Sequence, residues 1–217
     1  AYEITTRLVG SEMCIRDSTN TYERLYLDKQ QIQNSIDYIH GKAKLFNTVE
    51  NNNMVLGIDE YLTDERKDRE TEFIAFKKFY QRIYKETGCK YKDWVETIRE
   101  EYDDFLQEKE RIINRANEYV GNDVQRMMHR LQASAVRDQK CKMHNVYIFG
   151  HSLDITDKDI LRELILNENV YTTIFYLNRD VMGQQIANLV KIIGQDELIR
   201  RTGGKSKTIE FKQQKEC

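Results

Sequence analysis

The sequence predicts an α/β fold built on a parallel sheet and interrupted by a large α-helical insertion. Three observations predict it. After residue 144, strand-like and helix-like stretches alternate, the signature of βαβ units. Before residue 60, two short apolar runs, "SIDYIHGK" and "MVLGID", are bounded by polar residues, as buried strands are. From about residue 60 to 140, charges are dense, turn formers are rare and aromatic residues recur at helical spacing.

The elements follow in order. "NTYERLYLDKQQIQNSI" (20–36) has helical spacing of Leu25, Leu27, Ile32 and Ile36. "SIDYIHGK" is a short strand that ends in His40-Gly41, and "KLFNTVENNN" is turn-rich. "MVLGID" (54–59) reads as a second buried strand. Phe73, Phe76, Phe79, Tyr80, Ile83 and Tyr84 mark a helix that Gly88 is suited to end. Trp94, Ile98, Tyr102, Phe105, Ile112 and Tyr119 mark a longer one, and "NDVQRMMHRLQASAVRDQ" a third. Together they suggest antiparallel helices in a bundle. The stripe from Phe73 to Tyr84 is expected in the core, with a partner interface as the alternative. "NVYIFGHS" is then a strand, "ITDKDILRELILNEN" a helix, "VYTTIFYLN" a strand and "RDVMGQQIANLVKIIG" a helix. "DELIRRT" is a short helix and "KTIEFKQ" a last strand. Residues 19–59 and 141–217 thus form the sheet-bearing core, and residues 60–140 the insertion.

The totals bound the function. A chain of 217 residues suggests one domain with room for an insertion. With 40% hydrophobic and 32% charged residues, it has material for a core and a charged surface. The net charge of −2 gives no global basic field for nucleic acid. No apolar run is long enough for a membrane span, and no secretory signal is evident, so a cytoplasmic protein is expected. Cys14, Cys89, Cys141 and Cys217 are scattered, unlike a disulfide framework, which suits a reducing compartment. The absence of proline favours long uninterrupted helices.

Residues 8–18, "LVGSEMCIRDS", back-translate to a transposase-based sequencing adaptor read through in frame. On that reading residues 1–18 are foreign, and the native chain starts near Thr19 with its own N-terminal part missing. Residues 1–18 are then excluded from the fold, and the chain as given is expected to be inactive.

"YIFGHSLDITDKDIL" (147–161) concentrates the chemistry. Gly150-His151-Ser152-Leu153-Asp154 is four-fifths of G-x-S-x-G, in the strand-then-helix setting of a nucleophile elbow. Asp154 stands where the tight turn wants glycine. All four histidines, His40, His129, His144 and His151, precede Ser152, so the order serine, acid, histidine is unavailable. A nucleotide site fits better. At the C-terminal end of a parallel strand, a turn into a helix exposes backbone N–H groups that bind phosphate and ribose. Gly150 would let the backbone approach the ligand, Ser152 could donate to phosphate or ribose, and Asp154 could accept from a ribose hydroxyl. Helix capping is the competing account, since Thr156-Asp157-Lys158-Asp159 satisfies the capping-box pattern.

Other patterns are weaker. Cys141-x-x-His144 with His151 nearby lacks the fourth ligand of a zinc site, and no carboxylate motif for a metal is found, so no metal is expected. "TGGKS" (202–206) has Ile199 where a P-loop needs glycine, and reads as a turn. "RMMHRLQASAVRDQKCK" is locally basic, but its Met and Leu spacing describes a helix with one face packed and one solvated.

"NTYERLY", "YIHGK", "MVLGIDEY", "FKKFYQRIYKETGCKYKDWVE" and "IFGHSLDITDKDIL" resemble the AbiH family of bacteriophage abortive-infection proteins. The resemblance spans nearly everything after residue 18, and "IFGHSLD.TD" is its most specific piece. The family's N-terminal G-N-G-F-D turn and F-N-Y-T segment are absent. The pattern in turn is similar to sirtuin-type Rossmann domains, with their His-Gly strand end and late glycine-serine turn. The resemblance implies a Rossmann-like core that binds NAD or a related nucleotide. It implies His40 as general base beside the ribose, and Gly41, Gly150, His151, Ser152 and Asp154 as nucleotide contacts. An imidazole suits a base working near neutral pH. The activity so implied is hydrolysis of the nicotinamide–ribose bond during infection. One alternative is a non-catalytic nucleotide sensor whose insertion binds a protein partner or a second copy. Another is an effector that targets nucleic acid. The enzyme reading expects His40 and Ser152 to converge on one cleft at the strand C-termini.

Overall fold

The computed structural model describes residues 12–16, 36–38, 40–41, 53–55, 74–87 and 90–214. Among them five strands form one parallel sheet: β1 (Glu12–Arg16), β2 (Ile36–Tyr38), β3 (His144–Ile148), β4 (Val170–Tyr176) and β5 (Ile209–Gln213). The spatial order is β2-β1-β3-β4-β5. Among the described residues, three α-helices lie between β2 and β3: α1 (Lys78–Tyr84), α2 (Lys90–Glu118) and α3 (Asp123–Arg137). Helix α4 (Lys158–Ile165) joins β3 to β4, and α5 (Arg179–Ile193) and α6 (Gln195–Thr202) join β4 to β5. The chain is therefore α/β with a parallel sheet, as its alternating pattern requires.

The core sits where these layers meet. Val146 and Ile148 of β3 and Val170 and Ile174 of β4 are buried against Ile160, Leu161, Leu164 and Ile165 of α4 and Leu189, Ile192 and Ile193 of α5. Full burial of each such aliphatic side chain contributes roughly 1.5–3 kcal/mol. β3 and β4 therefore form a buried floor, and the turn that carries His151 springs from the C-terminal end of β3.

The inserted helices do not all stand apart from that core. Tyr91, Val95 and Ile98 of α2 belong to the same buried cluster, and Asn169 just before β4 donates to the Ile98 carbonyl at 2.7 Å. The far half of α2 pairs with α3, running back alongside it. Lys109 Nζ donates to the carbonyls of Arg137 (2.7 Å) and Gln139 (3.2 Å), and the Tyr119 and His129 rings lie 4.5 Å apart. Asn122 caps α3 by accepting from the Gln125 N–H at 2.9 Å.

Several expectations need correction. The aromatic stripe is not core: Phe76, Phe79, Ile83 and Tyr84 are exposed, and Phe73 lies outside the described residues. Helical spacing makes a helix two-faced but does not say which face turns inward. In α1 the inward face carries Lys78 and Arg82, which bind an acidic turn. On α3, Met127, Met128 and Leu131 are exposed, whereas the apolar packing expected of them falls to Ala133. The strand expected at 54–59 is absent from Met54 and Val55, and residues 56–59 lie outside the described residues, as do residues 20–35 of the expected 20–36 helix, whose last residue, Ile36, opens β2. Glu12–Arg16, within the stretch excluded from the fold, is a strand between β2 and β3, with Cys14 opposite both Ile36 and Tyr147. Strand pairing is made by backbone groups, so a gap between two parallel strands accepts an extended segment with little regard to its side chains.

Candidate functional site

His40 leaves the sheet two residues after β2. The Gly41 N–H closes a turn onto the Tyr38 carbonyl at 2.9 Å, with Gly41 at φ 73°. A Cβ at Gly41 would collide with the Asn53 carbonyl, so this tight passage requires glycine. The His40 carbonyl accepts from Val55 N–H at 2.8 Å, which fixes the backbone from the other side.

His151 leaves the sheet three residues after β3, in a turn with Gly150 at φ 59° and Leu153 at φ 56°. Leu153 is fully buried, and its packing holds a left-handed conformation that a leucine seldom adopts. Two buried amides of α5 grip the same turn. Gln185 Nε2 donates to the His151 carbonyl (3.0 Å), and Asn188 Nδ2 to the Ser152 carbonyl (2.9 Å). The Leu153 N–H donates to His151 Nδ1 at 2.8 Å. That nitrogen is therefore the acceptor, and in the neutral ring Nε2 carries the proton.

Both imidazoles converge on Asp157. Its Oδ2 lies 3.1 Å from His40 Nε2 and 3.5 Å from His151 Nε2, and the two rings stack with centroids 6.1 Å apart. Helix α1 adds two cations one turn apart. Lys78 Nζ donates to Asp157 Oδ2 (2.9 Å) and to Thr156 Oγ1 (2.9 Å), and lies 3.3 Å from His40 Nε2. Arg82 pairs with Asp159 at 2.6 Å and reaches Asp157 Oδ1 at 3.7 Å. Burial pushes the Asp157 carboxyl up. The hydrogen bond from His40 and the charges of His40, Lys78 and His151 outweigh that and hold its pKa at about 2. The carboxylate is ionised throughout the physiological range, as the anionic centre of a buried basic shell.

His40, His151 and Asp157 offer three ligand atoms within 4.8 Å of one another, which is metal-like spacing. The surrounding chemistry does not fit an ion. The Lys78 ammonium already contacts two of the three ligand atoms and would repel a divalent cation. The proton on His151 Nε2, set by the Leu153 N–H, occupies the nitrogen that would have to coordinate.

The other anticipated residues sort differently. Space beside Gly150 is open where a Cβ would stand, as backbone approach to a ligand needs. The convergence of His40 with Ser152 expected of an enzyme is not formed among the described contacts: Ser152 is exposed and engages the fold through its carbonyl, and the ring beside His40 is that of His151. Asp154 accepts from Thr156 N–H (3.1 Å) and caps the short 3-10 turn Ile155–Asp157. The capping box does not form. Thr156 Oγ1 receives Lys78, and Asp159 pairs with Arg82. Cys141 and His144 join no metal-type group among the described residues. His144 lies buried beside Glu101 at 3.2 Å and edge-on to Trp94. "TGGKS" ends in the 3-10 turn Gly204–Ser206.

Sequence reasoning missed Lys78, Arg82 and the central role of Asp157. The available signal was two basic residues four apart, Lys78 and Arg82, on one side of a helix whose other side is apolar. Such a side must face something acidic or solvent.

A model of the family described as bacteriophage abortive infection AbiH matches residues 18–177, most of the chain and every residue of this centre. No curated protein and no solved structure matches the chain.

Proposed function

This chain belongs to the AbiH family of bacteriophage abortive infection, and from that premise we propose that its sheet is a Rossmann-like nucleotide-binding core that consumes NAD or a related nucleotide in the cytoplasm of infected cells. One observation carries the reading: His40 and His151, from the C-terminal ends of β2 and β3, meet on one buried carboxylate. In the order β2-β1-β3-β4-β5, the chain steps from β1 to one side and then to the other. Open parallel sheets bind nucleotides outside the strand C-termini at such a reversal. Gly150, open above the sheet end, admits the ligand's phosphate or ribose to the backbone.

In this reading His40 is the general base. Asp157 orients its ring and stabilises the imidazolium as it forms. Water attacks the anomeric carbon of the ribose and passes its proton to His40. The carbon–nitrogen bond breaks with its electron pair going to the pyridine nitrogen, so nicotinamide leaves neutral. His151, whose proton position is set by the backbone, is a positioning residue for Asp157. Exhausting the cofactor pool stops the cell before phage mature.

A non-catalytic nucleotide sensor is the second reading. It is favoured by the exposed Val124, Met127, Met128 and Leu131 on α3, an apolar face suited to a protein partner or a second copy. Cellular NAD after phage infection separates the two, compared between the native family protein and its variant at the His40 position. A fall in NAD that the alanine variant abolishes supports hydrolysis. Constant NAD with intact protection from phage removes the enzyme reading and leaves sensing.

A further inference from the structure

Helix α1 is attached to the site in an unusual way. It is seven residues long, its first residue is preceded by Lys77, and no side chain caps its N-terminus. So short a helix is marginal alone and owes its order to what holds it. Arg82 is its one buried side chain; Phe79, Ile83 and Tyr84 face outward, Ile83 and Tyr84 with about three-quarters of their surface exposed. The ties from α1 to the turn 156–159 are polar: Lys78 to Asp157 and Thr156, and Arg82 to Asp159 and Asp157. Lys78 retains 17% exposure while Asp157 retains 2%, so solvent ions reach the cation and not its partner.

Salt does not weaken apolar burial, whereas an ion pair within reach of solvent is screened and can exchange one anion for another. We propose that α1 is an ion-held latch on the histidine centre, released when an anionic group of the phosphate class draws the Lys78 ammonium from Asp157. This rests on the nucleotide reading only for the source of that anion. It adds a condition to it: the Lys78 ammonium, 3.3 Å from His40 Nε2, belongs to an element that moves with the ligand. When Lys78 leaves, Asp157 and the two imidazoles face each other without the competing cation 3.3 Å from His40 Nε2.

Hydrogen–deuterium exchange of the full chain tests this, with peptides covering α1 read against peptides covering α5. Raising NaCl from about 0.1 M to about 1 M is expected to speed α1 exchange about fivefold or more, with α5 unchanged. Inorganic pyrophosphate at matched ionic strength should do the same, and so should Lys78→Met at low salt, whereas Lys78→Arg should remain protected. Should Lys78→Met loosen α5 as well, the salt and pyrophosphate arms on the unaltered chain decide. Exchange in α1 that ignores salt and pyrophosphate, or that slows with pyrophosphate, overturns the latch. NAD without effect on the native family protein, while salt, pyrophosphate and Lys78→Met still release α1, would instead count against the nucleotide reading and leave the latch standing.

Discussion

The backbone N–H of Leu153 points at Nδ1 of His151, 2.8 Å away, from a residue held at φ 56°. A turn two residues long thereby decides which nitrogen of a buried imidazole carries the proton. The strain at Leu153 is maintained by its complete burial and by the amides of Gln185 and Asn188, which hold the neighbouring carbonyls.

The first expected outcome follows from that contact. Nitrogen NMR above neutral pH should show His151 as the Nε2–H tautomer. Gln185→Leu leaves the His151 and Phe175 carbonyls without the amide and should cost about 1–3 kcal/mol in urea unfolding. In that variant the His151 signals should move toward a tautomer average. An unaltered single tautomer would mean that the α5 clamp does not govern the ring.

Asp157 should control acid stability. Its folded pKa of about 2 lies below the ordinary carboxylate value, so its contribution is complete above about pH 4 and is lost as pH falls toward 2. Over that window the loss is about 2 kcal/mol. Asp157→Asn removes the anion from among His40, His151 and Lys78 and should cost about 3–5 kcal/mol at neutral pH. It should also flatten the acid limb of a plot of unfolding free energy against pH. An acid limb equally steep in the variant would assign it to other carboxylates.

His144 should act in a different range and with its own sign. Burial lowers its pKa below the ordinary 6.5, against the opposing pull of Glu101. The fold therefore holds it neutral, and its contribution is complete above pH 6.5 and declines as pH falls below that value. His144→Gln should remove this decline, seen as a convergence of variant and parent melting temperatures on going from pH 7.5 to about 5.5. Parallel curves would exclude His144 as the source.

Arg201 should be the costliest single side chain outside the site. It is 1% exposed and donates to Glu197, Glu168, Thr208 Oγ1 and the carbonyls of Leu166 and Asn167. It ties α6 to the loop before β4 and to the start of β5. Arg201→Met keeps the stem and deletes the fork, and should cost about 3–5 kcal/mol by thermal or urea unfolding. A change under about 1 kcal/mol would mean that solvent replaces the guanidinium at these carbonyls.

Strands β3 and β4 were legible because each carries a short apolar run closed by polar residues, β5 because Ile209 and Phe211 alternate with Glu210 and Lys212, and α4 because Ile160, Leu161, Leu164 and Ile165 share one face. His40 and the Gly150 turn were legible as strand ends. The partner of His40 was not, because the pairing of His40 with Asp157 spans 117 residues and no local pattern encodes it. The same letters, Thr156 to Asp159, describe both a capping box and a receptor for two distant cations. Only the arrival of α1 decides between them. The exposed stripe on α1 was misjudged for a related reason: an amphipathic helix is normally oriented by its apolar face, and here two ion-paired side chains orient it instead.

The clamp on the His151 turn has an evolutionary corollary. The family match ends at Leu177, just past β4, whereas Gln185 and Asn188 lie on the next helix. In this chain the matched stretch therefore relies on a helix beyond it for the donors to the His151 and Ser152 carbonyls. A relative that diverges after β4 must still supply, from whatever follows, two donors for the carbonyls of His151 and Ser152. Those two donor positions, rather than the surface of α5, are what a replacement for the C-terminal part of this chain would have to reproduce.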